Sequence, residues 1–266
     1  MKIDYDINEI VPYINWDYFY YAWGMHNKPD AEKSKLRQEA EQALTHFQDQ
    51  YKTHALFLIA EAHSEGDDVI VRGEKSECVR RIPFLRQQQP NSEFLCLADF
   101  IHPESDRIGV FATTVDMGLE TDFDHDDYMK MMAQLLADRL AEATAEKMHQ
   151  EVRKRYWGYA PDEQLTMQQL HAEQFLGIRP AVGYPSLPDT SMNFVIDELI
   201  GLQQIGIRLT ASGAMKPHAS VSGFMIANPQ ARYFALGKIG EDQLADYARR
   251  RGLPIEVMRK FLATNL

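Results

Sequence analysis

Five short apolar runs follow one another between residues 54 and 115. They are "HALFLIAEA" (54–62), "DVIVR" (68–72), "ECVRRIPF" (77–84), "EFLCLADFI" (93–101) and "IGVFATTV" (108–115). Turn-type stretches such as "SEGDD" (64–68) separate them. Parallel neighbours need crossovers of about a dozen residues or more, so these short gaps favour antiparallel pairing.

Helical periodicity lies on either side of this block. In "DAEKSKLRQEAEQALTHFQDQYK" (30–52), Leu36, Ala40, Leu44, Phe47 and Tyr51 recur at i+3 and i+4. From about 124 to 156, Tyr128, Met132, Leu136, Leu140 and Ala143 do the same. A shorter helix is expected over 165–176, and another over "FVIDELIGLQQIG" (194–206), capped by Asp189, Thr190 or Ser191. Near the end, "ASVSGFMIA" (219–227) and "RYFALGKI" (232–239) flank "NPQA" and predict a hairpin. Two short helices close the chain, with Pro254 suited to a first turn. Strand runs and helix runs are segregated, so the fold class is α+β, read as one domain over 1–266.

Apolar residues make up 45% of the chain and charged residues 25%, as in soluble globular proteins. No apolar run is long enough to span a bilayer. The acidic start "MKIDYDINEIV" lacks a signal-peptide h-region, so a cytoplasmic location is expected. The net charge of −11 argues against nucleic acid and against an anionic membrane surface. It leaves room for a cationic ligand or a basic partner. Cys78 and Cys96 form no C-x-x-C pair, and two buried, reduced thiols are expected.

Familiar catalytic motifs are absent. There is no G-x-x-x-x-G-K-[ST], no G-x-G-x-x-G after a strand, no G-x-S-x-G and no H-E-x-x-H. "HDDY" (125–128) reads as a helix start whose Asp126 and Asp127 complement the macrodipole, not as a metal site. "SVSG" (220–223) sits in a strand-like run with no partnered base, so no nucleophilic serine is assigned. An activity that needs neither a side-chain nucleophile nor an acid–base pair fits best.

The segment "GIRPAVGYPSLPDTS" (177–191) has neither helical nor strand period. Pro180, Pro185 and Pro188 fix φ near −65°, and Gly183 permits a sharp turn beside Tyr184. Such a loop is rigid without regular structure. Arg179 offers a planar donor fork suited to a carboxylate, and Tyr184 a flat face suited to a cation or a ring. Two readings stand: a shaped site, or a connector in which Arg179 pairs with an internal acid.

"RPAVGYPSLPD" resembles the R-P-A-x-G-Y-P signature of the activation domain of cobalamin-dependent methionine synthase. "HDDYMKMMAQLLADRLAEATAEKMHQEVRKRYWGYAPDE" (125–163) is similar to that domain's long helix and W-G-Y-A-P turn. "LTASGAMKPHASVSGFMIANPQARYFALGKIGEDQLADYARRRG" (209–252) is similar to its C-terminal part. "YINWDYFYYAW" (13–23) and the residues from "LRQQ" to "CLADF" (85–100) match more loosely. The resemblance implies a C-shaped α+β domain with a central, twisted antiparallel sheet. In the family this domain ends a much longer enzyme, and here it stands without homocysteine, folate or cobalamin domains.

The resemblance also implies a reactivation role. Cob(I)alamin that has oxidised to cob(II)alamin receives an electron from flavodoxin or a flavoprotein reductase. S-adenosylmethionine then supplies a methyl group that traps the reduced form. Cobalamin is carried by the partner, the cobalamin-binding part of a separate methionine synthase. No catalytic side chain and no metal ligand are implied in this chain, because the reduced cobalt is the nucleophile.

Carried over by motif, Arg179 binds the ligand's carboxylate, Tyr184 packs near the sulfonium and Ser186 lies along the same loop. Tyr233 and Phe234 match aromatics that border the ligand. Glu142 and Glu173 match acids near the site, a solvated helix face being the other reading of either. The family has I-D-W where this chain has "INW", so Asn15 stands at the expected aspartate and puts ligand affinity in question. Two further readings are an S-adenosylmethionine sensor without methyl transfer and a reactivator of another corrinoid methyltransferase.

Overall fold

The computed structural model describes residues 1–72, 79–90 and 92–266. Its strands are β1 (Lys2–Asp6), β2 (Lys52–Glu65), β3 (Asp68–Arg72), β4 (Val79–Pro83), β5 (Asp106–Val115), β6 (Arg208–Leu209), β7 (Met215–Lys216) and β8 (Ser220–Met225). Its α-helices are α1 (Ile7–Ile10), α2 (Trp16–Ala22), α3 (Asp30–Phe47), α4 (Gly118–Thr121), α5 (Asp127–Glu151), α6 (Met167–His171), α7 (Met192–Ile200), α8 (Glu241–Arg251) and α9 (Ile255–Phe261). Cys96 is a buried free thiol, whereas Cys78 lies outside the described residues.

One antiparallel sheet runs β4–β3–β2–β5–β8, with β1 also on β2. The 14-residue β2 is its spine. Its first half pairs β1 from Asp6↔Lys52 to Lys2↔Leu56, and its last turns back into β3 from Ala62↔Val71 to Glu65↔Asp68. Gly66, at φ 60°, supplies the left-handed turn residue between β2 and β3. The other edge of β2 carries β5 from Thr53↔Val115 to Ala62↔Asp106.

Both faces of this sheet are covered, so β5 is apolar or buried along nearly its whole length. Period-2 alternation divides the core. Ala55, Phe57 and Phe111 face α3 and α5, where Leu44, Phe47, Met132, Leu136 and Leu140 are buried. Leu56, Val110, Ala112 and Phe224 face the opposite way, toward Met192 and Ile196 of α7. A third cluster of Leu244, Tyr247, Met258 and Leu262 closes the C-terminal helices. Asp126 caps α5 through bonds from the backbone N–H groups of Tyr128 and Met129, whereas α7 starts at Ser191 in helical geometry without the expected side-chain cap bond.

Several expectations are corrected. Residues 93–101 form no strand. After a single bridge at Cys96 they tighten into a 3₁₀ turn, Leu97–Phe100, because the Asp99 carboxylate accepts from the Cys96 N–H and holds the Arg86 guanidinium. The expected helix over 194–206 stops at Gly201, which takes φ 68°, and the expected helix over 165–176 shortens to α6. Tyr128 is not on the buried face of α5; it is exposed.

The largest correction concerns the predicted hairpin. Residues 232–239 have no strand structure and do not pair with β8. The outer edge of β8 is already taken by the loop 178–182. Ile178 bridges Ile226 and Ala181 bridges Gly223. The Pro180 carbonyl accepts from the Phe224 N–H at 3.0 Å, and the Val182 N–H donates to Ser222 at 2.9 Å. On the outward side the Arg179 N–H is taken by the Tyr233 hydroxyl at 2.8 Å, so no further strand adds and this edge ends the sheet. Ser222 is buried beneath it, with its hydroxyl donated to Asn193.

The approach of loop to strand is too close for a side chain. A Cβ at Gly223 would overlap the Pro180 carbonyl oxygen and sit 2.9 Å from the Ala181 Cα. Gly223→Ala is expected to lower stability by about 1–3 kcal/mol through overpacking and to push the loop off the edge. Urea denaturation measures the loss. An unchanged midpoint would mean that the loop yields without cost.

Candidate functional site

The docked loop forms one wall of a cleft of ≈ 580 Å³. The floor is α5. Arg139, Glu142, Ala143 and Glu146 stand at i, i+3, i+4 and i+7, which is one helical face. The core face of the same helix carries Leu136, Ala137 and Leu140. Leu170, His171 and Glu173 close one side, Tyr13, Asn15 and Tyr18 another, and the extended segment 233–235 the last.

Every residue singled out from the sequence lines this one cleft: Asn15, Glu142, Glu173, Arg179, Tyr184, Ser186, Tyr233 and Phe234. Tyr13, Tyr18, Arg139, Glu146 and His171 were not singled out. Arg139 and Glu146 carried a usable signal, since they share the helical face of Glu142. Tyr13 and Tyr18 lie within the aromatic opening stretch, and His171 carried none.

Arg179 is the centre. Its Nη2 donates to Glu146 Oε2 at 3.0 Å, and both side chains are only 11% exposed. This is the internal acid of the connector reading, yet the pairing is end-on and incomplete. Arg179 Nε and Glu146 Oε1 are buried without a hydrogen-bond partner. The guanidinium also lies 5.7 Å from the centroid of Phe111 in the sheet below. Burial works against the charge of Arg179, but Glu146 and the surrounding groups outweigh it and hold the group firmly protonated.

The aromatics are fastened to this centre. Tyr233 Oη accepts from the Arg179 backbone N–H at 2.8 Å. Burial pushes its phenol up to about 12 despite the nearby guanidinium. Tyr184 Oη donates to Glu142 Oε1 at 2.7 Å, and half of the Tyr184 side chain remains exposed at the rim. Burial and the adjacent Glu142 carboxylate raise its phenol as well. Burial likewise raises the Glu173 carboxyl, with Arg179 opposing. Asn15 uses Oδ1 to cap α2, accepting from the Asp17 N–H at 3.1 Å. The charged lining comprises Glu142, Glu146 and Glu173 against Arg139 and Arg179, an acidic excess suited to a cationic ligand.

A second layer stiffens the wall beneath. Arg153 is fully buried and forks onto Glu163 at 2.8 and 2.7 Å, with its third arm 2.8 Å from His149 Nδ1. Its guanidinium stacks 4.3 Å from the Phe175 ring centroid. This ties the long helix to the W-G-Y-A-P turn and to the α6 side of the cleft. Among the described residues no group of His, Cys, Asp or Glu side chains is gathered for a metal ion.

The family model for the vitamin B12 dependent methionine synthase activation domain matches residues 6–252. The chain belongs to this family. A crystal structure of the MetH reactivation domain bound to AdoHcy is similar to it at 36% sequence identity, with a TM-score of 0.93. The match covers 100% of this chain and 90% of that one. The α+β architecture, with its main antiparallel sheet and the small β6–β7 pair, is thus similar to that of the solved reactivation domain.

Within this activation domain the incomplete Arg179–Glu146 pair makes a definite energetic prediction. Arg179→Met leaves Glu146 buried without its cation and should cost about 3 kcal/mol of stability. Arg179→Met combined with Glu146→Leu removes both charges and should recover most of that loss. Thermal and urea unfolding of the single and double variants check it. A double variant no more stable than the single would show that the pair is not coupled.

Proposed function

We propose that this chain binds S-adenosylmethionine in the cleft and donates its methyl group to cob(I)alamin held by a separate cobalamin-dependent methionine synthase. The observation that carries this reading is the cleft around Arg179: a buried cation beside unsatisfied polar atoms, an acidic excess and the rings of Tyr184 and Tyr233 fastened beside it. Family membership and the AdoHcy-bound MetH reactivation domain support it.

The geometry of the cleft supports a role for each residue. Arg179 offers the ligand's carboxylate a charged donor already fixed in place, which reduces the ordering cost of binding. The acidic lining and the Tyr184 face suit a sulfonium. Both phenols stay protonated at neutral pH, so they hydrogen-bond and do not act as bases. Bound ligand would supply a methyl group on a good leaving group: transfer to reduced cobalt on the partner would break the carbon–sulfur bond and release S-adenosylhomocysteine as a neutral thioether, while Arg179 and the Tyr184 face would hold the ligand in place. That displacement needs orientation and no proton transfer, so this chain's residues need only hold the ligand and keep the rim open.

The electron that regenerates cob(I)alamin comes, on this reading, from flavodoxin or a flavoprotein reductase, and the encounter takes place in the cytoplasm. Among the described residues no helix is long and apolar enough to cross a membrane. At a net charge of −11, a basic partner face would speed the encounter and added salt would slow it.

The test mixes this protein, oxidised partner enzyme, a reductant and methyl-labelled S-adenosylmethionine. Label is expected in methylcobalamin only when both proteins are present. Tight ligand binding without transfer to any cobalamin enzyme of the same cell would overturn the methyl-donor role and favour the sensor.

Asn15 supplies a separate expectation. Aspartate caps a helix as well as asparagine, so Asn15→Asp should leave α2 intact. It adds negative charge beside the cleft, whereas Asp17 is exposed. S-adenosylmethionine should bind about 3–10-fold tighter at low salt, with a smaller gain at high salt. Calorimetric titration at two ionic strengths measures this. Unchanged affinity would place the cationic part of the ligand away from residue 15.

A further inference from the structure

We propose that Glu146 is a specificity-determining residue of the cleft: it steers Arg179 with one carboxylate oxygen and receives the α-ammonium of the ligand with the other. This rests on the S-adenosylmethionine reading given above.

Two polar atoms of the Arg179–Glu146 ion pair are orphaned. Arg179 Nε and Glu146 Oε1 are both buried and unpartnered, although they belong to one ion pair. Glu146 is buried, and both residues line the cleft. Buried polar atoms in a native protein are almost always satisfied, and each orphan carries a desolvation cost. Two orphans of opposite character on one pair call for a ligand that brings both an acceptor and a donor. An α-amino-acid headgroup does so on adjacent atoms, with a carboxylate for the guanidinium and an ammonium for the carboxylate.

Other acids at the cleft are less suited. Glu142 has an oxygen engaged by the Tyr184 hydroxyl at 2.7 Å. The Asn15 oxygen caps α2 and carries no charge. Burial raises the Glu173 carboxyl, which disfavours its ionised form. Glu146 alone among these holds the ligand's carboxylate partner and an unused acceptor on the same side chain.

Glu146 does more than keep Arg179 in place. Were it a purely structural partner, replacement by glutamine would weaken ligands with and without an ammonium alike, since glutamine keeps the length and one acceptor oxygen for Arg179 but not the counter-charge. Replacing an ammonium receptor would not, because the second position becomes an N–H₂ group that opposes a cation.

The experiment titrates two ligands by calorimetry: S-adenosylmethionine and its analogue lacking the α-amino group. The proteins are the wild type, Glu146→Gln and, for comparison, Glu142→Gln. With Glu146→Gln, S-adenosylmethionine should bind at least about tenfold more weakly, while the deaminated analogue binds as it does to the wild type. Glu142→Gln should weaken both ligands alike. Should Glu146→Gln fail to fold, Glu146→Asp keeps the charge and should retain part of the preference for the amino group.

Equal loss for both ligands in Glu146→Gln would reduce Glu146 to a strut for Arg179 and overturn the proposal. No loss for either would overturn it too. Failure of the wild type to bind S-adenosylmethionine at all would instead refute the reading on which this rests.

Discussion

The outer edge of β8 has to find partners for its backbone N–H and C=O groups, because an unpaired edge beside a buried core is costly and prone to wrong pairing. In this fold the partners come from a segment that is not a strand. Ile178, Pro180 and Val182 bond to Ile226, Phe224 and Ser222 along this edge, while the Tyr233 hydroxyl takes the outward Arg179 N–H. Gly223 is what lets the backbones meet. The close contact aims Arg179, between two ladder-bonded residues, at the face of α5. Loop rigidity here is thus a product of edge satisfaction, and site geometry inherits the precision of the sheet.

From that edge the electrostatics follow. Docking the loop brings a guanidinium into a place that water barely reaches, and an unpaired charge there is untenable. Glu146 on α5 answers it, yet only end-on. A fully bidentate pair would have spent both carboxylate oxygens and closed the cleft to a charged headgroup. The incomplete pair retains a cation that stays charged and leaves recognition capacity in reserve. Tyr233 takes the Arg179 N–H, so backbone and side chain of the central residue are restrained independently.

Much of this was legible from residue order. Leu36, Leu44, Met132, Leu136 and Leu140 recur with helical period and are buried as expected, because one face of an amphipathic helix has only one place to go. The antiparallel pairing of the 54–115 block followed from short gaps. Arg179 and Tyr184 were legible because R-P-A-x-G-Y-P is a local motif, and the other cleft residues through the wider resemblance that surrounds it. What escaped was non-local. Residues 232–239 have strand composition, but the edge of β8 they would pair with is occupied by the loop 178–182. Leu97–Phe100 is apolar enough for a strand, but Asp99 and Arg86 bend it. The partner of Arg179 lies 33 residues away on a helix whose polar stripe looked like a solvated face.

Glu173 shows how the second layer sustains the first. Its φ of 54° is in the left-handed region, which costs a residue with a Cβ about 1 kcal/mol or more. Two residues on, Phe175 is held with its face against Arg153 and its ring across the edge of His149. That arrangement requires a neutral histidine. Arg153 donates to His149 Nδ1, so the ring proton lies on Nε2, facing Tyr159 Oη at 3.2 Å. Burial and the adjacent guanidinium drive the His149 pKa well down, and both Glu163 oxygens are already engaged by Arg153. A second cation would find no acid to receive it. The anchored Phe175 and the bond between the Glu173 N–H and Leu170 then hold the chain in its strained turn, and that turn keeps Glu173 on the wall of the cleft opposite Tyr184 and Ser186.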